Sequence, residues 1–517
     1  MSTHSTAIGI HSLAVSFPSV IRTNDYWQQK YPDMVRSQPR RRRNRSVVPS
    51  SVDNGFDLWS QEVAPYLSDP FRGSVERRVL GNESTLEVQY QAATEALTAA
   101  KLNVAEVDVV MVTSLFADNL GLDNTTLLAR KLGFNCPVWN LESTCSSALV
   151  ALQNARALIQ TGEYNNALVI VSHFGSNTVR ETDTLAWSMG DGAGAFVVGK
   201  LKPDRGVLAS KVVSTANTYG AYHHQLEIGR EGKPRILTQT GENASSLAET
   251  AVDCVRTCCQ EAALKAGVDL AEIDFFVFNT PTAWYAHVCA RALGIAPERT
   301  LNLYPYYGNI GVVFPVANLY HAVKEGKIKE NSLVLVYTNG ASATAAATVM
   351  RWGDVALGKA PAAPKHELSS ELTLEAARGQ GAGCRGDSTT LLNGKSEKER
   401  ATPKLSQAKI LAVKPELREE LIKNYLTIWL ANTLQVLPNE IDASQPLTMW
   451  LDSLMAFSFK SRLEADLEIR VPIESFFGDN NLNTLTQLIL EKLTLSTLVI
   501  PELVSNDEAS EREILSL

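Results

Sequence analysis

Ala105-Glu-Val-Asp-Val-Val-Met-Val-Thr-Ser114 returns later in the chain as Ala271-Glu-Ile-Asp-Phe-Phe-Val-Phe-Asn-Thr280, with Ala, Glu and Asp at matched places and apolar residues in register. Each copy follows an Ala-rich helical pattern, over 91–100 and 259–266. Two further matches keep the same order. Arg130-Lys-Leu-Gly133 is echoed by Arg291-Ala-Leu-Gly294, and Asn166-Ala-Leu-Val-Ile-Val171 by Asn331-Ser-Leu-Val-Leu-Val336. Offsets of roughly 160 residues therefore recur, the mark of an internal duplication. Unbroken Val, Ile and Leu runs belong to strands buried on both faces, so each half alternates helix and buried strand, and a duplicated α/β core is predicted.

At 517 residues the chain exceeds what one hydrophobic core organises. The texture changes after Trp352, and four segments follow: a large domain over 1–356, a Gly-, Ala- and Ser-rich flexible linker over 357–409, a small helical domain over 410–495 and an acidic tail over 496–517. A net charge of −8 argues against broad nucleic-acid binding. The basic run Arg40, Arg41, Arg42, Arg43 and Arg45 is either a solvated loop or a dock for an acidic carrier helix or a coenzyme A phosphate. Seven cysteines, odd in number and without metal spacing or a leader ahead of them, are expected to be reduced thiols of a cytoplasmic protein. Cys254, Cys258 and Cys259 share one helical pattern with Val252 and Val255 and are expected to pack in a core, with no metal. No apolar run reaches the ~20 residues of a membrane span, so no membrane contact is expected.

Asn140-Leu-Glu-Ser-Thr-Cys-Ser-Ser-Ala-Leu149 sets Cys145 among small polar residues just ahead of an apolar helical run. Either it is a buried structural thiol, or small neighbours leave room for a substrate while the helix terminus lowers the thiol pKa for attack on a thioester. The stretches Ile8-Gly-Ile-His-Ser-Leu-Ala-Val-Ser-Phe-Pro18, Ser143-Thr-Cys-Ser-Ser147, Met189-Gly-Asp-Gly-Ala-Gly-Ala195, Tyr307-Gly-Asn-Ile-Gly311 and Asn339-Gly-Ala-Ser342 decide it as a set. Together they resemble the ketoacyl-acyl-carrier-protein synthase III branch of the thiolase superfamily, over residues 7 to 356. The resemblance implies an α/β, duplicated, thiolase-like five-layer fold, a homodimer, and Cys145 as acyl-accepting nucleophile. It also implies Asn309 as a carbonyl-binding partner and an oxyanion hole from the backbone N–H groups of Cys145 and Ser342.

The family's histidine does not carry over. Its His-Gln-Ala-Asn segment falls on Asn279-Thr-Pro-Thr282, which puts Asn279 in the histidine's place. An amide can donate to a thioester carbonyl but cannot exchange protons near neutral pH. His173, His287 and His321 sit in apolar strand or helix patterns and are read as packing. His223 and His224 lie in a Tyr-rich stretch that often lines the acyl tunnel in this family, and one of them is a candidate replacement base.

Trp450-Leu-Asp-Ser-Leu-Met-Ala456 sits between a long helical pattern and Val471-Pro-Ile-Glu-Ser-Phe-Phe477. Alone it is a helix cap. In that setting it resembles the attachment site of polyketide-type acyl carrier proteins, which implies an all-α, four-helix domain with 4'-phosphopantetheine on Ser453, placed there by a phosphopantetheinyl transferase. A flexible tether would hold such a carrier near Cys145 at about millimolar effective concentration. The substrates expected are acyl-CoA or acyl-carrier thioesters, with a downstream synthase as a further partner. Three functions remain open: acyl transfer through Cys145 without decarboxylation, in polyketide or fatty-acid-type biosynthesis; decarboxylative Claisen condensation to a 3-oxoacyl starter unit; and a non-catalytic initiation scaffold with a working carrier. Asn279 favours the first, and the intact Cys145, Asn309 and glycine loops weigh against the third.

Overall fold

The computed structural model describes residues 7–37, 55–119, 121–228, 234–365, 405–434, 437–451, 453–467, 469, 471–476 and 479–498; the run Arg40–Arg45, residues 366–404 and the end of the acidic tail lie outside them. The chain divides into two compact units, 1–383 and 384–517.

The repeated stretches are the same device used twice. Asn103 and Asp269 begin short 3-10 turns, and the Glu three residues on (Glu106, Glu272) accepts back from their N–H at 2.8 and 2.7 Å. The strand that follows, Val109–Leu115 or Phe275–Phe278, is started by an aspartate that ties it to its neighbour. Asp108 accepts from the N–H of Asn166 at 3.0 Å, and Asp274 from that of Leu333 at 2.8 Å. The next helices, Leu122–Leu132 and Tyr285–Leu293, both end on left-handed glycines, Gly133 and Gly294.

The duplication extends to sheet order. In the first sheet Ile8–Ser16 pairs antiparallel with Asp191–Lys200, which pairs antiparallel with Ala167–Phe174, which pairs parallel with Val109–Leu115. In the second, Gly206–Ser214, Thr344–Arg351, Leu333–Asn339 and Phe275–Phe278 follow in the same order with the same senses. Val138–Asn140 and Ala356–Leu357 extend the first sheet at its two edges. The helices Ser147–Gln160 and Phe314–Lys324 lie between the sheets and touch both, which is why Phe314 through Ala322 are buried without a polar face. Thr85–Ala100 covers the outside of the first sheet and Ser246–Ala266 that of the second. This is the five-layered helix, sheet, helix, sheet, helix arrangement expected of a thiolase-like chain. Truncating Phe314 to alanine inside such a layer costs about 3–5 kcal/mol, so the central helices are held in place by packing before any substrate arrives.

Where the sequence places the start of a linker at 357, the first unit continues. Gly358 donates to the Leu13 carbonyl, Arg78 donates to the carbonyls of Ala362 and Ala363, and the Lys365 N–H reaches Glu76. The composition there is linker-like, but backbone pairing to the sheet edge decides the structure.

The second unit is helical. Pro415–Leu434, Ser453–Leu467 and Leu482–Leu498 are its long helices, with short ones at Gln407–Leu411 and Leu447–Trp450. Leu426, Leu430, Phe459, Leu463, Leu485 and Ile489 meet in its core, and the rings of Trp429 and Phe459 stack with centroids 4.0 Å apart. Leu405 and Ile410 belong to that core, so the helical unit begins ahead of 410.

Candidate functional site

Cys145 occupies a 3-10 turn, Thr144–Ser146, at the entrance of the helix Ser147–Gln160. Thr144 has φ +48°, a left-handed value that a β-branched residue adopts only under constraint. The constraint is a net of hydroxyls. Ser143 Oγ lies 2.7 Å and Ser146 Oγ 2.6 Å from Thr344 Oγ1; Ser146 also donates to the Thr344 carbonyl at 2.8 Å, and Ser147 Oγ accepts the Ser143 N–H while donating to the Thr144 carbonyl, both at 2.7 Å. Small polar residues flank the cysteine because their hydroxyls hold this turn to the second sheet's edge. A side chain at Gly340 would collide with Thr144 Oγ1, which ties that glycine to the turn.

The thiol itself contradicts one expectation. Its pKa is pushed up to about 11, because burial disfavours the thiolate more than the Cys145 backbone N–H favours it. Tyr222 stands beside Cys145, and its hydroxyl is likewise driven up, to about 12, by burial and then by the sulfur.

A second expectation gives way at the oxyanion hole. The Ser342 N–H donates to Thr218 Oγ1 at 2.7 Å, the Ser342 hydroxyl donates to the Thr218 carbonyl at 3.2 Å, and the residue turns outward at φ +61°. In the same loop the N–H of Gly340 goes to the Thr344 carbonyl and that of Ala343 to Thr215 Oγ1. Ala341 is left as the residue of this loop whose N–H meets no acceptor among the described residues, and its carbonyl accepts from Thr144 Oγ1, next to the cysteine.

Asn279 follows the strand Phe275–Phe278 and is 1% exposed. Its Nδ2 donates to the Gly311 carbonyl at 3.0 Å, while Oδ1 is buried with no partner among the described residues. The partner is a carbonyl, so the amide orientation is fixed by chemistry. An N–H counted on for the thioester is thus engaged by the backbone. Asn309 is arranged oppositely: its Oδ1 accepts the Gly311 N–H at 2.9 Å, which leaves its NH2 as the outward pole.

The histidines separate by geometry. Strand alternation puts Tyr222 and His224 on one face of Tyr222–Ile228 and His223 on the other, and both histidines are exposed. His224 Nδ1 lies 3.1 Å from Thr238 Oγ1 and its ring packs on Phe116, centroids 5.3 Å apart. Phe116 also packs on His173, at 5.5 Å. His321 shares a hydrogen bond with the Tyr307 hydroxyl inside the core, as packing predicts. His173, also read as packing, is buried near the end of its strand and lies against Gly311. Ala341 and Gly311 lie inside the quoted motifs and Tyr222 beside the two histidines, but no signal in the sequence singled them out, because each is brought in by pairing across strands or loops.

Ser453 is the first residue of the 15-residue helix Ser453–Leu467. A serine there suits a phosphate ester, since unpaired N–H groups and the helix dipole favour negative charge. Among the described residues no group of three His, Cys, Asp or Glu side chains could hold a metal, and no helix is long and apolar enough to cross a membrane.

Residues 139–216 match the family of 3-oxoacyl-[acyl-carrier-protein] synthase III, residues 264–352 its C-terminal part, and residues 426–489 the phosphopantetheine attachment site. Beta-ketoacyl-[acyl-carrier-protein] synthase III of Aquifex aeolicus is 28% identical over 312 residues, 59% of this chain and 96% of that protein. Synthase III 1 of Halalkalibacterium halodurans is 27% identical over 293 residues, 54% of this chain and 88% of that protein. The crystal structure of the Aquifex aeolicus synthase III aligns with a TM-score of 0.52 at 24% identity, over 67% of this chain and all of that one (100%). Xanthomonas campestris OleA with bound lauric acid and lauroyl-CoA aligns with a TM-score of 0.54 at 16% identity, over 67% of this chain and 100% of that chain, a likeness of fold alone. The chain therefore joins a thiolase-fold domain similar to 3-oxoacyl-[acyl-carrier-protein] synthase III, whose relatives are acyltransferases, to a carrier domain of the kind that bears 4'-phosphopantetheine on a serine.

Proposed function

We propose that the chain moves an acyl group between thioesters through Cys145, without decarboxylation, in polyketide or fatty-acid-type biosynthesis. Cys145 attacks a donor acyl thioester, its own N–H and that of Ala341 receive the oxyanion, and the acyl group passes to or from a pantetheine thiol on Ser453. A phosphopantetheinyl transferase installs that arm. The observation that carries the reading is the engagement of Asn279: the side chain in the histidine's place spends an N–H on the Gly311 carbonyl. Enolate formation from a malonyl extender draws on two side-chain donors aimed at one carbonyl, whereas loading and unloading of a thioester need only the nucleophile and backbone donors.

One observation favours condensation as the second reading. Asn309 spends its Oδ1 on the Gly311 N–H, which keeps its NH2 for a carbonyl. Intact-protein mass spectrometry of the phosphopantetheinylated chain separates the two. Incubated with acyl thioesters and a malonyl carrier, it should gain the acyl mass on Cys145 and then on the Ser453 arm, with no carbon dioxide released. A product longer by an acetyl unit supports condensation instead. No label on Cys145 from any donor would sink both.

A further inference from the structure

Gly311 is where side chains from three elements converge. Asn279 holds its carbonyl, Asn309 holds its N–H, and the ring of His173 lies over its α carbon. A Cβ at position 311, where φ is +51°, would stand 2.6 Å from His173 Cδ2 and 3.2 Å from Nε2. The turn that starts at Gly311 packs directly on the turn Thr144–Ser146 that carries Cys145. The imidazole thus packs on a turn that itself lies against the cysteine's turn.

Its tautomer is set by the backbone. His173 Nδ1 lies 3.0 Å from the Gly190 carbonyl oxygen, which can only accept, so Nδ1 carries the proton and Nε2 presents a lone pair. The hydrogen bond of the ring among the described residues is that of Nδ1. The groups packed on the ring are Gly175, Met189, Gly190, Gly311 and Phe116, all uncharged, and the titratable neighbour is His224 beyond Phe116. Burial, the larger effect, and His224 together bring the His173 pKa down to about 4, so the imidazole is neutral across the physiological range.

We propose that His173 is the base of acyl transfer at Cys145 and that the acceptor is a thiol. In loading, the bond from Cys145 Sγ to the acyl carbon forms as the donor's carbon–sulfur bond breaks; the proton passes from Sγ to His173 Nε2 and then to the departing sulfur. Unloading runs the same path in reverse, with Nε2 taking the proton of the incoming pantetheine thiol. Nothing is oxidised or reduced. The proposal rests on the acyl-transfer reading. It also supplies a chemical reason for that reading: a lone pair in this place serves a substrate with an S–H to give up, whereas an enolate is served by donors.

The test uses the full phosphopantetheinylated chain and acetyl-pantetheine as donor, with single-turnover acylation of Cys145 followed by mass spectrometry. His173→Gln and His173→Asn should each slow acylation by at least about 100-fold, with Cys145 still alkylated to completion by iodoacetamide and with part of the rate returned by added imidazole. A folded variant that acylates within threefold of the parent overturns the proposal, while parent acylation leaves the transfer reading standing. If both variants fail to fold, the parent decides. With Nε2 as base, its acylation rate stays nearly flat from pH 6 to 8; a rate that climbs about tenfold per pH unit means attack by free thiolate and overturns the proposal.

Discussion

Exchanging Cys145 for serine removes the thiol and keeps the turn, and the pH dependence of the difference measures how strongly enclosure opposes the thiolate. The thiol pKa lies at about 11 against an ordinary 9.0, with burial as the main cause. Two pH units correspond to at most ~2.7 kcal/mol of differential stability, and at pH 7.5 to a thiolate fraction of ~0.03% where a free thiol would show ~3%. The sign follows from linkage. A folded-state pKa raised above the unfolded one means the folded protein holds the proton more tightly, so this stability is complete below pH 9 and is lost as pH rises from 9 towards 11. Two measurements check it. Ultraviolet difference titration of the parent against Cys145→Ser should show thiolate absorbance from this residue only above pH 10. Denaturant unfolding should show the parent losing stability relative to the variant between pH 9 and 11. Thiolate absorbance saturating below pH 8 would mean that the helix terminus prevails over burial, and the account of the enclosed nucleophile would fail.

Thr344→Val keeps the shape and deletes the hydroxyl shared by Ser143 and Ser146; because Ser146 keeps its bonds to the Ser143 and Thr344 carbonyls, the loss should cost about 0.5–1.5 kcal/mol, read as a lowered midpoint in denaturant, with slower acylation of Cys145. Ala341→Pro removes the backbone donor assigned to the oxyanion and should cut acylation by about 10²–10³; a folded variant that acylates within a few-fold of the parent would refute the reassignment from Ser342, whose N–H is committed to Thr218. Ser453→Ala should abolish the mass gain from a phosphopantetheinyl transferase and leave Cys145 acylation from a free thioester unchanged.

The fold was legible because the duplication repeats both apolar pattern and polar ties. Glu106 and Glu272 cap, Asp108 and Asp274 brace, Gly133 and Gly294 terminate, and each is local in sequence. The places of Cys145 at the mouth of a helix and of Ser453 at the start of another were legible for the same reason, since a small-residue turn and a serine opening a helix are contiguous signals. The rest of the site is not local. Whether Ser342 or Ala341 has a free N–H depends on Thr218, 124 residues away, and whether Asn279 faces a substrate depends on a carbonyl 32 residues away. The Cys145 pKa depends on burial, which no helix-terminus argument contains. The expected start of the linker failed on the same ground: residues 357–365 have a linker's composition and a sheet edge to pair with.

The exchange of histidine for Asn279 is intelligible only together with what surrounds it. An imidazole at 279 would meet the Gly311 carbonyl from one side while His173 covers the Gly311 α carbon from the other. Gly311 in turn must be glycine, because His173 occupies the space of any side chain there and φ is +51°. The three positions therefore form one packing unit in which the imidazole enters from the strand Ala167–Phe174 and the amide takes the strand end at 279. Reverting Asn279 to His alone would leave His173 and Gly311 unchanged, so it adds a ring without restoring a donor pair around one carbonyl. The single reversion should therefore not produce decarboxylative condensation with a malonyl carrier, and condensation appearing in Asn279→His would show that the amide alone holds the site to transfer.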